Sequence, residues 1–107
     1  MGRFGCLVQE GSRAVECTEE LEAGLAELHA RHYPDDAASV SWRTVPPGYM
    51  FTEGRQSTSS IIACVITWPT ELAEREAYMR DVCDLWTGVT GCTDHEVVVA
   101  VTEVDPL

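Results

Sequence analysis

The chain has 107 residues, 45% of them hydrophobic and 23% charged, with 18 acidic side chains against 7 basic ones. That length suits one domain over 1–107, and the apolar fraction excludes a disordered acidic tail despite a net charge of −11. All the basic residues are scattered arginines, which excludes nucleic acid and anionic membranes as partners, and no apolar run approaches the roughly 18–20 residues that span a bilayer.

Arg3 to Gln9 (RFGCLVQ) reads as a short strand ended by Glu10-Gly11-Ser12. Thr18 is placed to cap a helix whose first turn carries Glu19, Glu20 and Glu22. Leu21, Leu25 and Leu28 recur at helical spacing, and Tyr33-Pro34-Asp35-Asp36 stops the helix. Ser39 to Val45 (SVSWRTV) alternates as a strand, with Val40, Trp42 and Thr44 on one face and Ser41, Arg43 and Val45 on the other. Between Pro46-Pro47-Gly48 and Glu53-Gly54, Tyr49-Met50-Phe51 forms a small hairpin or a lip over a pocket, followed by a polar connection over 55–60. Ile61 to Thr67 (IIACVIT) is a continuous apolar strand. Thr70 is a second cap candidate, before a helix with Leu72, Met79, Val82, Cys83 and Trp86 as its apolar stripe, running to about Thr87. A loop over 88–94 and a last strand, Glu96 to Val104, complete the order.

The element order is β-α-β, hairpin, β-α-β, a pseudo-repeat with units of about 1–48 and 58–107. It implies an α+β fold: a four-stranded sheet with two helices on one face. IIACVI and VVVAV are apolar on both faces, and two helices cover only one, so a second copy of the chain is expected on the other. The plainer alternative is a curled sheet with an exposed greasy face. The cysteines, at 6, 17, 64, 83 and 92, are odd in number and lack Cys-x-x-Cys spacing. Structural thiols in the cytoplasm fit that pattern better than a disulfide framework or a zinc site. The opening MGRFGCLVQE has neither the basic nor the long apolar region of a signal peptide. No motif implies a metal or an organic cofactor.

Three stretches carry a family resemblance: the opening GRFGCLVQEG, the block SVSWRTVPPGYMFTEGR, and the strand-helix-strand from Ile61 to Pro106. In order and spacing the chain resembles the tautomerase superfamily, and within it the cis-3-chloroacrylic acid dehalogenase branch, in which one chain carries two β-α-β units. The resemblance implies assembly as trimers or hexamers, with a homotrimer expected for this chain, and chemistry at an N-terminal proline exposed by removal of the initiator Met. Here that position is Gly2. Its primary amine, with an ordinary pKa of roughly 7.7–8.0, can shuttle a proton or form an imine near neutral pH.

The resemblance also assigns His29 a place near that amine, where an imidazole suits proton transfer; the alternative is a solvated histidine on a polar shoulder beside Arg31 and His32. His32 and His95 have no counterpart and read as surface residues. Arginines grip the substrate carboxylate in this family. Arg43 is the best-placed candidate here and Arg13 the weaker one, against simple ion pairing for both. Tyr49, Met50 and Phe51 match the hairpin lining the family's pocket, or cover the oligomer's core. The arginine pair before the second helix and the glutamate segment of the dehalogenase branch are absent, so hydrolytic dehalogenation is not expected. The implied activity is a small isomerase moving a proton between carbon and oxygen of a small anionic carbonyl compound, or a related lyase or cyclising step in a biosynthetic pathway. Two alternatives stay open: a non-catalytic trimer of the same fold acting as binder or scaffold, and an unrelated ferredoxin-like ligand-binding dimer.

Overall fold

The computed structural model describes residues 2–67 and 70–104; Trp68 and the closing Asp105-Pro106 lie outside the described residues. In chain order the elements are β1 (Gly2–Gln9), α1 (Arg13–Glu16), α2 (Thr18–His32), β2 (Ala38–Val45), β3 (Phe51–Thr52) and β4 (Arg55–Gln56). Then come β5 (Ser60–Thr67), α3 (Leu72–Thr90), a 3-10 turn (Asp94–Glu96) and β6 (Val97–Val104). The main sheet has the order β2-β1-β5-β6. β1 and β2 are parallel, β5 and β6 are parallel, and β1 and β5 are antiparallel. The architecture is α+β, two β-α-β crossovers joined through their first strands. A split, ferredoxin-like arrangement would place another strand between the two strands of each crossover; β1 instead pairs directly with β2.

Strand alternation builds the core. Phe4, Cys6 and Val8 of β1 and Ile62, Cys64 and Ile66 of β5 are buried, beneath Leu21, Leu25 and Leu28 of α2 and Tyr78, Val82 and Trp86 of α3. Gly24 lets Leu85 lie against α2, in the space a Cβ would take. Burial pushes the Cys6 and Cys64 thiols up to about 12, so they stay protonated and inert at neutral pH. All five cysteines are free.

Several boundaries differ from the sequence expectation. Thr18 starts α2 without capping it: its hydroxyl donates back to the Val15 carbonyl at 2.8 Å, because an extra turn, α1, precedes it. Thr70 is drawn away from the helix by Glu103, to which it donates at 2.9 Å, and α3 begins two residues later. α3 continues past Gly88, where the expected loop would start, and ends where Gly91 adopts a left-handed φ of 75°. Leu72 is 62% exposed and outside the stripe, which is Tyr78-Val82-Trp86 at i, i+4, i+8, with Met79 and Cys83 on its flanks. Arg55–Gln56, expected as connection, pairs with Phe51–Thr52 across a turn at Glu53 and Gly54, both at positive φ.

The sheet's second face carries Leu7, Ile61, Ala63, Val65, Val98 and Ala100, with Val98 53% exposed. Among the described residues, no helix is long and apolar enough to cross a membrane.

Candidate functional site

β1 delivers Gly2 to one end of the sheet, level with the start of β2: Gly2 pairs with Ala38, and its backbone N–H donates to the Ala37 carbonyl at 3.0 Å. The last turn of α2 lays the His29 ring against the Gly2 Cα. A Cβ built on Gly2 would stand 2.7 Å from Nε2 and 2.8 Å from Nδ1, inside the ring's van der Waals surface. The residue without a side chain is therefore what admits the imidazole.

His29 is 1% exposed, not solvated on a polar shoulder as one reading of the sequence had it. Its ring lies edge-on to Phe4, 6.1 Å between centroids, and 5.1 Å from the Tyr33 ring. Nδ1 lies 2.8 Å from Tyr78 Oη, and Nε2 lies 2.7 Å from Asp36 Oδ2. A carboxylate can only accept, so in the neutral ring Nε2 carries the hydrogen toward Asp36 and Nδ1 accepts from the Tyr78 hydroxyl. Burial pushes the Tyr78 phenol far up, which keeps it a donor. The hydrogen bond from His29 holds the Asp36 carboxyl below the usual carboxylate range.

That depression gives a pH dependence. Because Asp36 binds its proton less readily folded than unfolded, its contribution to stability is present above about pH 4 and fades as pH falls through the folded pKa. The melting-temperature deficit of Asp36→Asn at pH 6 is expected to shrink as pH falls below about 4. A deficit that stays constant down to pH 2.5 contradicts the assignment.

Further charge gathers at the same end. Glu103 of β6 pairs with Ile66, and Val65 pairs with Arg3, so these strand ends lie level with Gly2. Arg75 reaches back from α3 to the Glu103 carboxylate at 2.9 Å and to the Thr70 carbonyl at 2.7 Å. Burial raises the Tyr33 phenol, and Glu74 and Glu103 raise it further. His32, expected as a surface residue, is half-buried, with Nε2 2.7 Å from Asp81. His95 is exposed.

The other sequence candidates lie elsewhere in the chain. Arg43 pairs with Leu7, five residues along β1 from Gly2, or about 16 Å, and projects from the sheet face opposite His29. Arg13 begins α1, beyond the far end of β1, and binds Glu16 at 3.3 Å. Tyr49 and Phe51 stand exposed at that far end while Met50 is buried. One chain thus brings Gly2 and His29 together and leaves Arg43, Arg13 and the hairpin apart from them. The residues missed were Asp36, Tyr78 and Arg75. In the sequence the turn Tyr33-Pro34-Asp35-Asp36 reads as a helix stop, and Arg75 lies one residue past the arginine-free stretch over 67–74. Among the described residues, no group of three or more His, Cys, Asp or Glu side chains is arranged to hold a metal.

No family model matches the chain, and no curated protein matches it by sequence. Solved structures do. Native Ps01740 is 27% identical, superposes with a TM-score of 0.88, and the match covers 97% of this chain and 95% of that one. N1, a member of the cis-3-chloroacrylic acid dehalogenase family, is 17% identical at a TM-score of 0.84, over 96% of this chain and 75% of that one. Native fused 4-OT is 13% identical at 0.81, over 96% and 87%. With its paired β-α-β crossovers, the chain is a protein of the tautomerase-superfamily fold.

Proposed function

We propose that this chain is a small isomerase, one domain over 1–107 built of two β-α-β units, that moves a proton between carbon and oxygen of a small anionic carbonyl compound. A lyase or cyclising step of a biosynthetic pathway would use the same parts. The observation that carries this reading is the contact between Gly2 and the His29 ring at the open end of β1, with Asp36 hydrogen-bonded behind it. Removal of Met1 would present the Gly2 amine there, partly protonated near neutral pH and suited to exchange a proton or to face a developing oxyanion. The protein works in the cytoplasm without cofactor or metal.

The site is completed by oligomerisation. The open sheet face is apolar at Leu7, Ile61, Ala63, Val65 and Val98, which is the composition of a buried interface. Fused 4-OT structures similar to this chain are described as trimers. In a homotrimer, Arg43 and the Tyr49-Met50-Phe51 hairpin of one copy approach the Gly2 end of another, where the guanidinium grips the substrate carboxylate and Arg13 adds charge. Light scattering is expected to give three times the 11.8 kDa chain mass, and Val98→Asp a monomer. A monomeric wild type overturns the assembly.

Activity is tested by following ketonisation of the enol of phenylpyruvate. The wild type is expected to exceed the buffer rate, and Arg43→Ala to raise KM by roughly 10- to 100-fold. A second reading, a non-catalytic binding trimer, is favoured by one fact: both nitrogens of His29 are satisfied within the chain. It predicts no acceleration by the wild type.

A further inference from the structure

We propose that Asp36 is the proton-carrying residue of this site, aimed by a Tyr78–His29 relay, and that position 2 is glycine so that His29 can reach it. This rests on the isomerase reading above and names the group that performs it.

Three observations lead here. The His29 ring is enclosed and both its nitrogens are engaged, so it has no free atom to offer a substrate. Asp36 is the one member of the chain Tyr78–His29–Asp36 that reaches solvent, its side chain 37% exposed beside the Gly2 strand end. The ring occupies the volume that any side chain at position 2 would need. A proline there and the His29–Asp36 bond compete for the same space, and this chain has the second.

In the step we assign, the Asp36 carboxylate takes the proton from the carbon next to the substrate carbonyl. The C–H electron pair becomes the C=C bond, and the carbonyl π pair moves onto oxygen. Asp36, now neutral, gives the same proton to that oxygen and returns to carboxylate, leaving the enol; the reverse order gives the ketone. Tyr78 and His29 are positioning residues. The Tyr78 hydroxyl holds Nδ1 as acceptor, which leaves the hydrogen on Nε2 pointing at Asp36.

The test uses the full-length protein and deuterium incorporation from D2O next to the carbonyl of pyruvate, 2-oxobutanoate and phenylpyruvate, read by proton NMR. If the wild type exchanges none of them faster than buffer, the isomerase reading fails and this proposal with it. If it does exchange, Asp36→Asn is expected to lower kcat by roughly 100-fold or more with KM within threefold, and Asp36→Glu to recover part of the loss. Gly2→Ala, which keeps a primary amine and displaces the ring, is expected to lower kcat by roughly tenfold or more. Nitrogen-15 spectra of the wild type are expected to show His29 as the Nε2–H tautomer, and Asp36→Asn, whose amide can donate or accept, a mixture of tautomers. Asp36→Asn activity within threefold of an active wild type overturns the role of Asp36 while the isomerase reading stands.

Discussion

Gly2→Ala and Gly2→Pro are both expected to melt about 5–15 °C below the wild type, even though proline is the residue the family resemblance places at this position. Each adds a Cβ where the His29 ring already lies. That ring is fixed by Tyr78 on one nitrogen and Asp36 on the other, and Phe4 and Tyr33 close in around it, so displacing it strains or breaks both hydrogen bonds. Overpacking a filled site costs about 1–3 kcal/mol. Where Met1 is retained, proline also removes the amide hydrogen that bonds to the Ala37 carbonyl. Circular-dichroism melts of forms with matched N-terminal processing measure this, and a melting temperature within about 1 °C of the wild type contradicts it.

His29→Ala carries the other large effect, a loss of about 3–4 kcal/mol. The substitution empties a site among Phe4, Tyr33 and Tyr78 and strands the buried Tyr78 hydroxyl. It also removes the largest of the contributions that depress the Asp36 carboxyl, which rises part of the way toward its ordinary value. Tyr78→Phe removes one hydroxyl and no volume of ring, and is expected to cost only about 1 kcal/mol. Because Gly2 and His29 contend for one volume, the two changes are coupled. In the His29→Ala background, Gly2→Ala is expected to be nearly neutral, a coupling of more than about 1 kcal/mol in a double-mutant cycle. Urea titrations of the four proteins decide it: additive losses would mean that the Gly2–His29 contact does not limit stability.

The fold was legible where local pattern and tertiary need agree. Leu21, Leu25 and Leu28 sit three and four apart and all three are buried. The alternation in SVSWRTV turns Val40 and Trp42 inward as read. Leu72 misled because its apolar type fits the stripe yet it stands 62% exposed in the first turn of α3, while Tyr78, a more polar type, holds the buried position four residues before Val82. The site was harder to see. His29 lies in the polar run LHARH, and its partners are 7 and 49 residues away, brought to it by the turn into β2 and by the second crossover. Nothing local marks Asp36 as more than the end of a helix stop. Glycine at position 2 reads as a missing proline, and its steric meaning emerges only with the ring in place. Arg43 was assigned through resemblance to a position that one chain holds on the opposite face of the sheet.

The proposed proton-transfer site is the end of β1 that holds Gly2, His29 and Asp36. Its most direct test is the rate at which the purified wild-type protein exchanges the hydrogens next to the carbonyl of small 2-keto acids in D2O, with His29→Ala measured beside it. Exchange above the buffer rate is expected, falling by roughly tenfold or more in the variant while the variant remains folded. Exchange at the buffer rate for every keto acid tried, or equal rates for both proteins, would contradict it.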